Sequence, residues 1–133
     1  MAIPLQSLSG SEVLRRGCIN AQSNTNTHVK FNNVAPTTAA NTTDGTVPTN
    51  HIITVLNIIF CEQGNQADEM LTMWVEGVHG SGIYILRSQQ IGPYQTFVWN
   101  DKIVLIGGDS LRIMTQGTAN IDVWYNYIDQ SWV

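Results

Sequence analysis

The sequence predicts an all-β protein: an antiparallel β-sandwich, jelly-roll-like, behind a short N-terminal arm. Three observations predict it. Seven or eight short runs rich in Val, Ile and aromatic residues recur every 8–12 residues, each bounded by Gly, Pro, Asn or Asp. No strand–helix–strand rhythm appears, which argues against a doubly wound parallel sheet. The last third, 103–128, reads as strand, tight turn, strand, tight turn, strand. It is a β-meander punctuated at Gly107-Gly108-Asp109 and Gly117-Thr118-Ala119-Asn120.

Residues 1–25 form the arm, and the sandwich domain spans 26–133. Within the arm, Ser9 or Ser11 is placed to cap one or two helical turns through Glu12–Arg16, which Gly17 would end. A helix that short needs a surface to dock on, its own domain or a neighbour. From 20 to 50 the chain holds eight Thr and seven Asn and almost no charge. One short strand is expected at Thr27–Val34, followed by a loop over about 35–50 broken by Pro36, Asp44-Gly45 and Pro48. Loops of that length often mark contact surfaces, and equally often are surface excursions.

His51–Cys61 is the most hydrophobic strand, apolar enough for both faces to be covered. Met70–Glu76 alternates, with Leu71, Met73 and Val75 on one face and Met70, Thr72, Trp74 and Glu76 on the other. Strands follow at Ile83–Ile91, Thr96–Trp99, Lys102–Ile106, around Leu111–Thr115 and at Ile121–Ile128. The tail, 129–133, carries Trp132, a large aromatic that calls for a partner surface.

A chain of 133 residues is expected to form one domain with a real core. Hydrophobic residues make up 43% and charged residues only 12%, half the usual quarter, which suits a surface packed against partners. The formal net charge is −4 and the six Lys and Arg form no stripe, so neither nucleic acid nor a polybasic membrane contact is expected. No apolar run reaches bilayer length, and no early positive charge precedes an apolar core, so no secretory signal is expected. Cys18 and Cys61 are then expected as buried or half-buried thiols.

Little chemistry is written in the motifs. Gly108-Asp109-Ser110-Leu111 resembles the nucleophile block of the GDSL esterases and lipases. That family places its Ser near the N-terminus of an α/β fold and supplies Asp and His downstream. Here Ser110 lies late and no histidine follows it, the last being His79. A serine without a base is a poor nucleophile, so the reading is a turn, with Gly107-Gly108 permitting positive φ and Asp109 bonding its own backbone. His28, His51 and His79 have no metal-ligand spacing, so no metal and no cofactor are expected. Trp74, Trp99 and Trp124 would serve a carbohydrate-binding module if they formed one coplanar exposed patch.

Assembly is the stronger signal. In the last strand Asp122, Trp124, Asn126 and Ile128 share a face that is neither core nor plainly solvent. Met70 and Trp74 behave alike, and so do Arg112 and Met114 on the strand after the glycine turn. With Leu14 and Arg15 of the arm and Trp132 of the tail, these are the candidate interface residues: Leu14, Arg15, Met70, Trp74, Arg112, Met114, Trp124, Ile128 and Trp132.

The stretch from about 50 to 130 resembles small virion proteins of tailed bacteriophages. The residues that carry the resemblance are Ile85, Leu86, Thr96, Trp99, Lys102, Ile103, Leu105, Gly108, Asp109, Leu111, Ile113, Ala119, Ile121, Asp122, Val123, Tyr127 and Ile128. The resemblance implies a non-enzymatic β-sandwich present in many copies in the virion and assembled in the host cytoplasm. Head decoration or cement is the first expectation; a neck, collar, tail-adaptor or fibre-attachment part is the second, and a carbohydrate-binding module the third. The expected partners are copies of itself, as dimer or trimer, and other virion proteins such as the major capsid or neck and tail proteins.

Overall fold

The computed structural model describes residues 10–22, 26–31, 45–65, 69–77, 80–116 and 119–132. Among them run nine strands: β1 (Gly10–Gln22), β2 (Thr27–Val29), β3 (His51–Glu62), β4 (Glu69–Gly77), β5 (Gly80–Ile91), β6 (Thr96–Trp99), β7 (Ile103–Ile106), β8 (Ser110–Thr115) and β9 (Ile121–Trp132). They form two antiparallel sheets packed face to face. The first has the order β1-β9-β3-β6, with β7 also on β3; the second has the order β2-β8-β4-β5. Strands β6 and β7 share one edge of β3 end to end, β7 on Ile52–Val55 and β6 on Ile58–Cys61. Taken as one interrupted strand, they leave two four-stranded sheets between which the chain crosses repeatedly. That is a jelly roll.

The core follows from alternation. Strand β9 sends Ile121, Val123, Tyr125 and Tyr127 inward, and β4 answers with Leu71, Met73 and Val75. Leu111 and Ile113 of β8, Ile53, Val55, Ile58 and Phe60 of β3, and Leu105 of β7 complete it. Each such side chain, fully removed from water, contributes about 2 kcal/mol. In β3 the pairing with β9 shifts between Val55 and Asn57, so Leu56 is an extra residue. The bulge switches the parity of the strand, which lets Val55 and Ile58 both face inward.

Several expectations are corrected. The helix over Glu12–Arg16 is absent: residues 10–22 of the arm are β1, paired with β9 from Gly10↔Trp132 to Ile19↔Val123 before the register shifts. Gly17 is not a helix stop. It lies under the buried Tyr125 ring, where any Cβ would meet that ring. Tyr125 is fixed there by donating to the Lys30 carbonyl (2.8 Å) and accepting from the Lys30 N–H (3.2 Å), with Phe31 edge-on at 5.8 Å.

The meander is also absent. β7 and β9 belong to the first sheet and β8 to the second. Both edges of β9 are taken by the long strands β1 and β3, so six-residue β8 pairs instead with β4 and β2. The outer face of β3 is half-buried rather than covered, and the tail through Trp132 is the end of β9. Residues 1–9 and 23–25, the rest of the arm, and 32–44, most of the Thr/Asn-rich loop, lie outside the described residues.

Other expectations hold. Thr96–Trp99 is strand β6. Gly108 has φ 93°, the Ile106 N–H donates to Asp109 Oδ2 at 3.0 Å, and the Asp109 N–H donates to the Ile106 carbonyl at 3.0 Å, so Asp109 closes the turn. The turn is tied to its neighbour by Gly108 N–H to the Val47 carbonyl (3.0 Å) and Val47 N–H to the Asp109 carbonyl (2.8 Å). This carries the chain over the sandwich rim into β8.

One buried carboxylate ties the loops at one end of the sandwich. Glu62 is 1% exposed; its Oε1 accepts from Gly64 N–H (2.9 Å), and both its oxygens lie 3.2 Å from Asn120 N–H. Replacing Glu62 with Ala removes the acceptor that these two backbone donors share, and a lowered urea midpoint worth about 2 kcal/mol is expected. Replacing Gly17 with Val forces Tyr125 from its place, with a loss of about 2 kcal/mol expected in the same measurement. A wild-type midpoint in Gly17→Val would contradict the close packing of β1 under Tyr125.

Candidate interaction surface

The residues that point away from the core on the first sheet form a grid set by strand register. Across β1, β9, β3 and the β6/β7 edge, one row reads Glu12, Gln130, Ile52, Ile106, and the next Leu14, Ile128, Thr54, Val104. A middle row reads Arg16, Asn126, Asn57. Then come Cys18, Trp124, Ile59, Val98, and last Asp122, Cys61, Thr96, with Asn20 lining the same concavity as Asp122. Of these, Leu14 is 70% exposed, Val104 62% and Trp124 41%, with Val98 and Ile106 also exposed. The grid carries three charges, Glu12, Arg16 and Asp122. Asn126 Nδ2 donates to Asn57 Oδ1 at 2.8 Å across the middle, and the Arg16 guanidinium lies 5.4 Å from the Trp124 ring centre.

Trp124 walls a shallow concavity of about 340 Å³, lined also by Cys18, Asn20, Ile59, Cys61 and Asp122. Both cysteines are free and half-buried. They flank β9 on opposite sides, so their strands lie roughly 10 Å apart. A disulfide needs Cα atoms within about 7 Å, so the two do not bridge within one chain.

The outer face of the second sheet differs in kind. His28, Arg112, Trp74 and Tyr84 lie in one row across β2, β8, β4 and β5. Several of its polar groups pair with one another. Trp74 Nε1 donates to Glu76 Oε1 at 3.1 Å, Arg112 Nε lies 3.0 Å from Glu76 Oε2, and the Arg87 guanidinium sits 4.6 Å from the Tyr84 ring centre. Gly82 lets β5 close over Trp74, which is only 9% exposed.

The nine candidate residues therefore separate. Leu14, Trp124 and Ile128 lie together on the first sheet's outer face, and the strand alternation places Trp132 at its end. Met70, Trp74, Arg112 and Met114 lie on the second sheet, with Trp74 buried and the other three half-buried. Arg15 points to the other side of β1, its Nε 3.4 Å from Asp129 Oδ2, while His51 Nδ1 lies 2.7 Å from Asp129 Oδ1. Residues that sequence reasoning missed include Val98, Val104 and Ile106. The signal for Val104 and Ile106 was present in Ile103–Ile106, four apolar residues in a row on a strand with one face to the core.

The carbohydrate platform does not form. Trp74 and Trp124 lie on opposite sheets, and Trp99 packs against the core. Ser110 opens β8 at 6% exposure.

Burial, and next the Arg112 guanidinium, hold the His28 imidazole below its ordinary value of 6.5; Glu76 opposes this and Lys30 adds to it. The unfolded chain thus takes up a proton near pH 6.5 that the folded chain refuses until lower pH. Stability from this source is complete above about pH 6.5 and falls as pH drops below it. Urea midpoints should fall between about pH 7.5 and pH 5.5, and His28→Gln should flatten part of that slope. An equal slope in the variant would assign the dependence to other groups.

No protein-family model matches the chain, and no curated protein matches its sequence. Solved structures match at low identity and with TM-scores below 0.5. The disulfide-linked pili of Bacillus endospore appendages match at 11% identity and TM-score 0.43, over 94% of this chain and 91% of that one. The infectious bursal disease virus particle matches at 10% and 0.42, over 89% of this chain and 31% of that one, so the chain spans about a third of that capsid chain's length. The globular domain of zebrafish complement 1qA protein matches at 15% and 0.43, over 89% and 94%. A pilus protein and a viral particle protein thus stand among the solved structures that the chain is similar to.

Proposed function

We propose that this protein is a non-enzymatic structural component of a virion that assembles with copies of itself through the outer face of the first sheet. Within that class its place is head decoration or cement. The observation that carries the reading is the open grid around Leu14, Ile128, Trp124, Val98, Val104 and Ile106, a broad apolar face with three charges. A sheet face that meets only water does not gather that many exposed aliphatic side chains.

The occupant is a second copy. Four strand positions by five rows span about 20 by 30 Å, which with side-chain relief approaches the roughly 800 Å² per partner of a standard stable interface. The charges on the face are of both signs, so one copy of it does not meet another as like against like. The resemblance to tailed-phage virion proteins supports the virion setting. Its matched positions are mostly core and turn residues, such as Leu105, Asp109, Leu111, Ile113, Ile121 and Val123, which are buried. Contacts to the rest of a particle can each be weak, because many copies act together.

Light scattering of the purified protein at tens of micromolar should give a mass of at least two chains. Val104→Asp, an exposed position, should leave folding intact and weaken self-association about a hundredfold. Co-sedimentation with empty heads supports the head assignment, and co-sedimentation with tails moves the protein to the neck or tail. A stable monomer that binds neither overturns the proposal.

A further inference from the structure

Among the described residues the four sheet edges are unequal. Strand β2 has three residues, and the β6/β7 edge is broken into two four-residue pieces. Along β5 the register with β4 shifts three times and Ser88 has φ 55°. Short, interrupted or bulged edges resist pairing with another chain. Strand β1 is different. From Gly10 to Ile19 its pairing with β9 runs without a shift, and it contains neither Lys nor Pro. Its outer side carries Leu14, the most exposed large hydrophobic among the described residues.

We propose that β1 is a second assembly surface: two copies join edge to edge through β1, antiparallel about a twofold axis at Leu14. The register follows from charge and face. Residues opposite one another in antiparallel strands point to the same side of the sheet. About a twofold axis, residue pairs are therefore centred on a residue and not between two. Glu12, Leu14 and Arg16 share the outer face. Centring on Leu14 sets Glu12 of each copy opposite Arg16 of the other and Leu14 opposite Leu14. Centring on Val13 or Arg15 leaves Glu12 facing Leu14 or Cys18. One register thus satisfies both ion pairs and covers the exposed leucine.

On the inner side the same register lays the Arg15 stem against Val13, which is 37% exposed. The present contacts of Glu12 and Arg16 are surface ones, to Gln130 Nε2 at 3.1 Å and over the Trp124 ring, and both leave room for a new partner. The join would continue the first sheet across two molecules and extend its outer grid. It uses the edge rather than the face, so it stands or falls separately from self-association through Val104.

The test is cross-linking at Leu14 in a Cys18→Ser, Cys61→Ser background. Directly opposed residues in antiparallel strands lie about 4.5–5.5 Å apart at Cα, within disulfide range. Leu14→Cys should therefore form a disulfide dimer under mild copper oxidation at least about ten times faster than Glu12→Cys, whose mates lie roughly 13 Å apart along the strands. The Leu14→Cys cross-link should persist when Val104→Asp is added; its loss would assign the contact to the face and overturn the proposal. Glu12→Arg and Arg16→Glu should each weaken the edge dimer about tenfold, measured by sedimentation in the Val104→Asp background. The doubly reversed Glu12→Arg, Arg16→Glu chain should recover to within about threefold of the parent. Equal rates for the two cysteines, or no recovery in the double reversal, would also overturn it.

Discussion

Strand β9 is hydrogen-bonded along both edges, to β1 on one side and β3 on the other, and the rest of the molecule depends on that arrangement. A long strand with both edges taken has no room for its sequence neighbour. Strand β8 is therefore forced into the opposite sheet, and the chain must cross the sandwich to reach it. The crossing is made by Gly107, Gly108 and Asp109, and it requires the backbone of Val47 as a buttress. The jelly roll is in this sense a consequence of which strands are long enough to satisfy β9. Alternation along the same strand then divides labour, with Val123, Tyr125 and Tyr127 building the core and Trp124 and Ile128 the outer face.

Charged groups are few, and the buried carboxylates are placed at joints. Glu62 gathers the turn at Gly64 and the approach to β9 at Asn120. Asp109 closes the turn before β8, and Asp129 brings Arg15 of β1 and His51 of β3 to β9. A buried carboxylate is costly unless its oxygens accept hydrogen bonds or meet a cation. Here each is answered by backbone N–H groups or basic side chains. In a chain with only 12% charged residues, these side chains act as fasteners between elements rather than as a solvated coat.

The fold class was legible because strand period and turn chemistry are local. Leu71, Met73 and Val75 alternate in the sequence as they do in the core, and Asp109 has the turn role its neighbours foretell. Strand β1 was not legible. Ser11, Glu12 and Gly17 imitate a capped helix, and what makes the segment a strand is Tyr125, more than a hundred residues away, lying across Gly17. Sheet membership of β7, β8 and β9 was hidden for the same reason: local sequence encodes extension but not partner. The outer grid was half visible. Trp124 and Ile128 stood out, while Val98, Val104 and Ile106 lie on short apolar strands whose outer side only the register reveals.

The bulge at Leu56 has a consequence for recognition. It falls where β6 gives way to β7, and beside it the hydrogen-bonded Asn57 and Asn126 run with Arg16 as a polar seam between two apolar fields. A flat, uniformly greasy sheet would let a docking molecule slide. On this face a displacement by one row sets amides and a guanidinium against Trp124 or Leu14, where they lose water and gain no partner, at about 1–3 kcal/mol for each stranded group. In the face-to-face contact proposed above, the seam would act as a key, tolerating one alignment and penalising its neighbours. Discrimination of that kind comes from what the surface forbids rather than from how strongly it attracts.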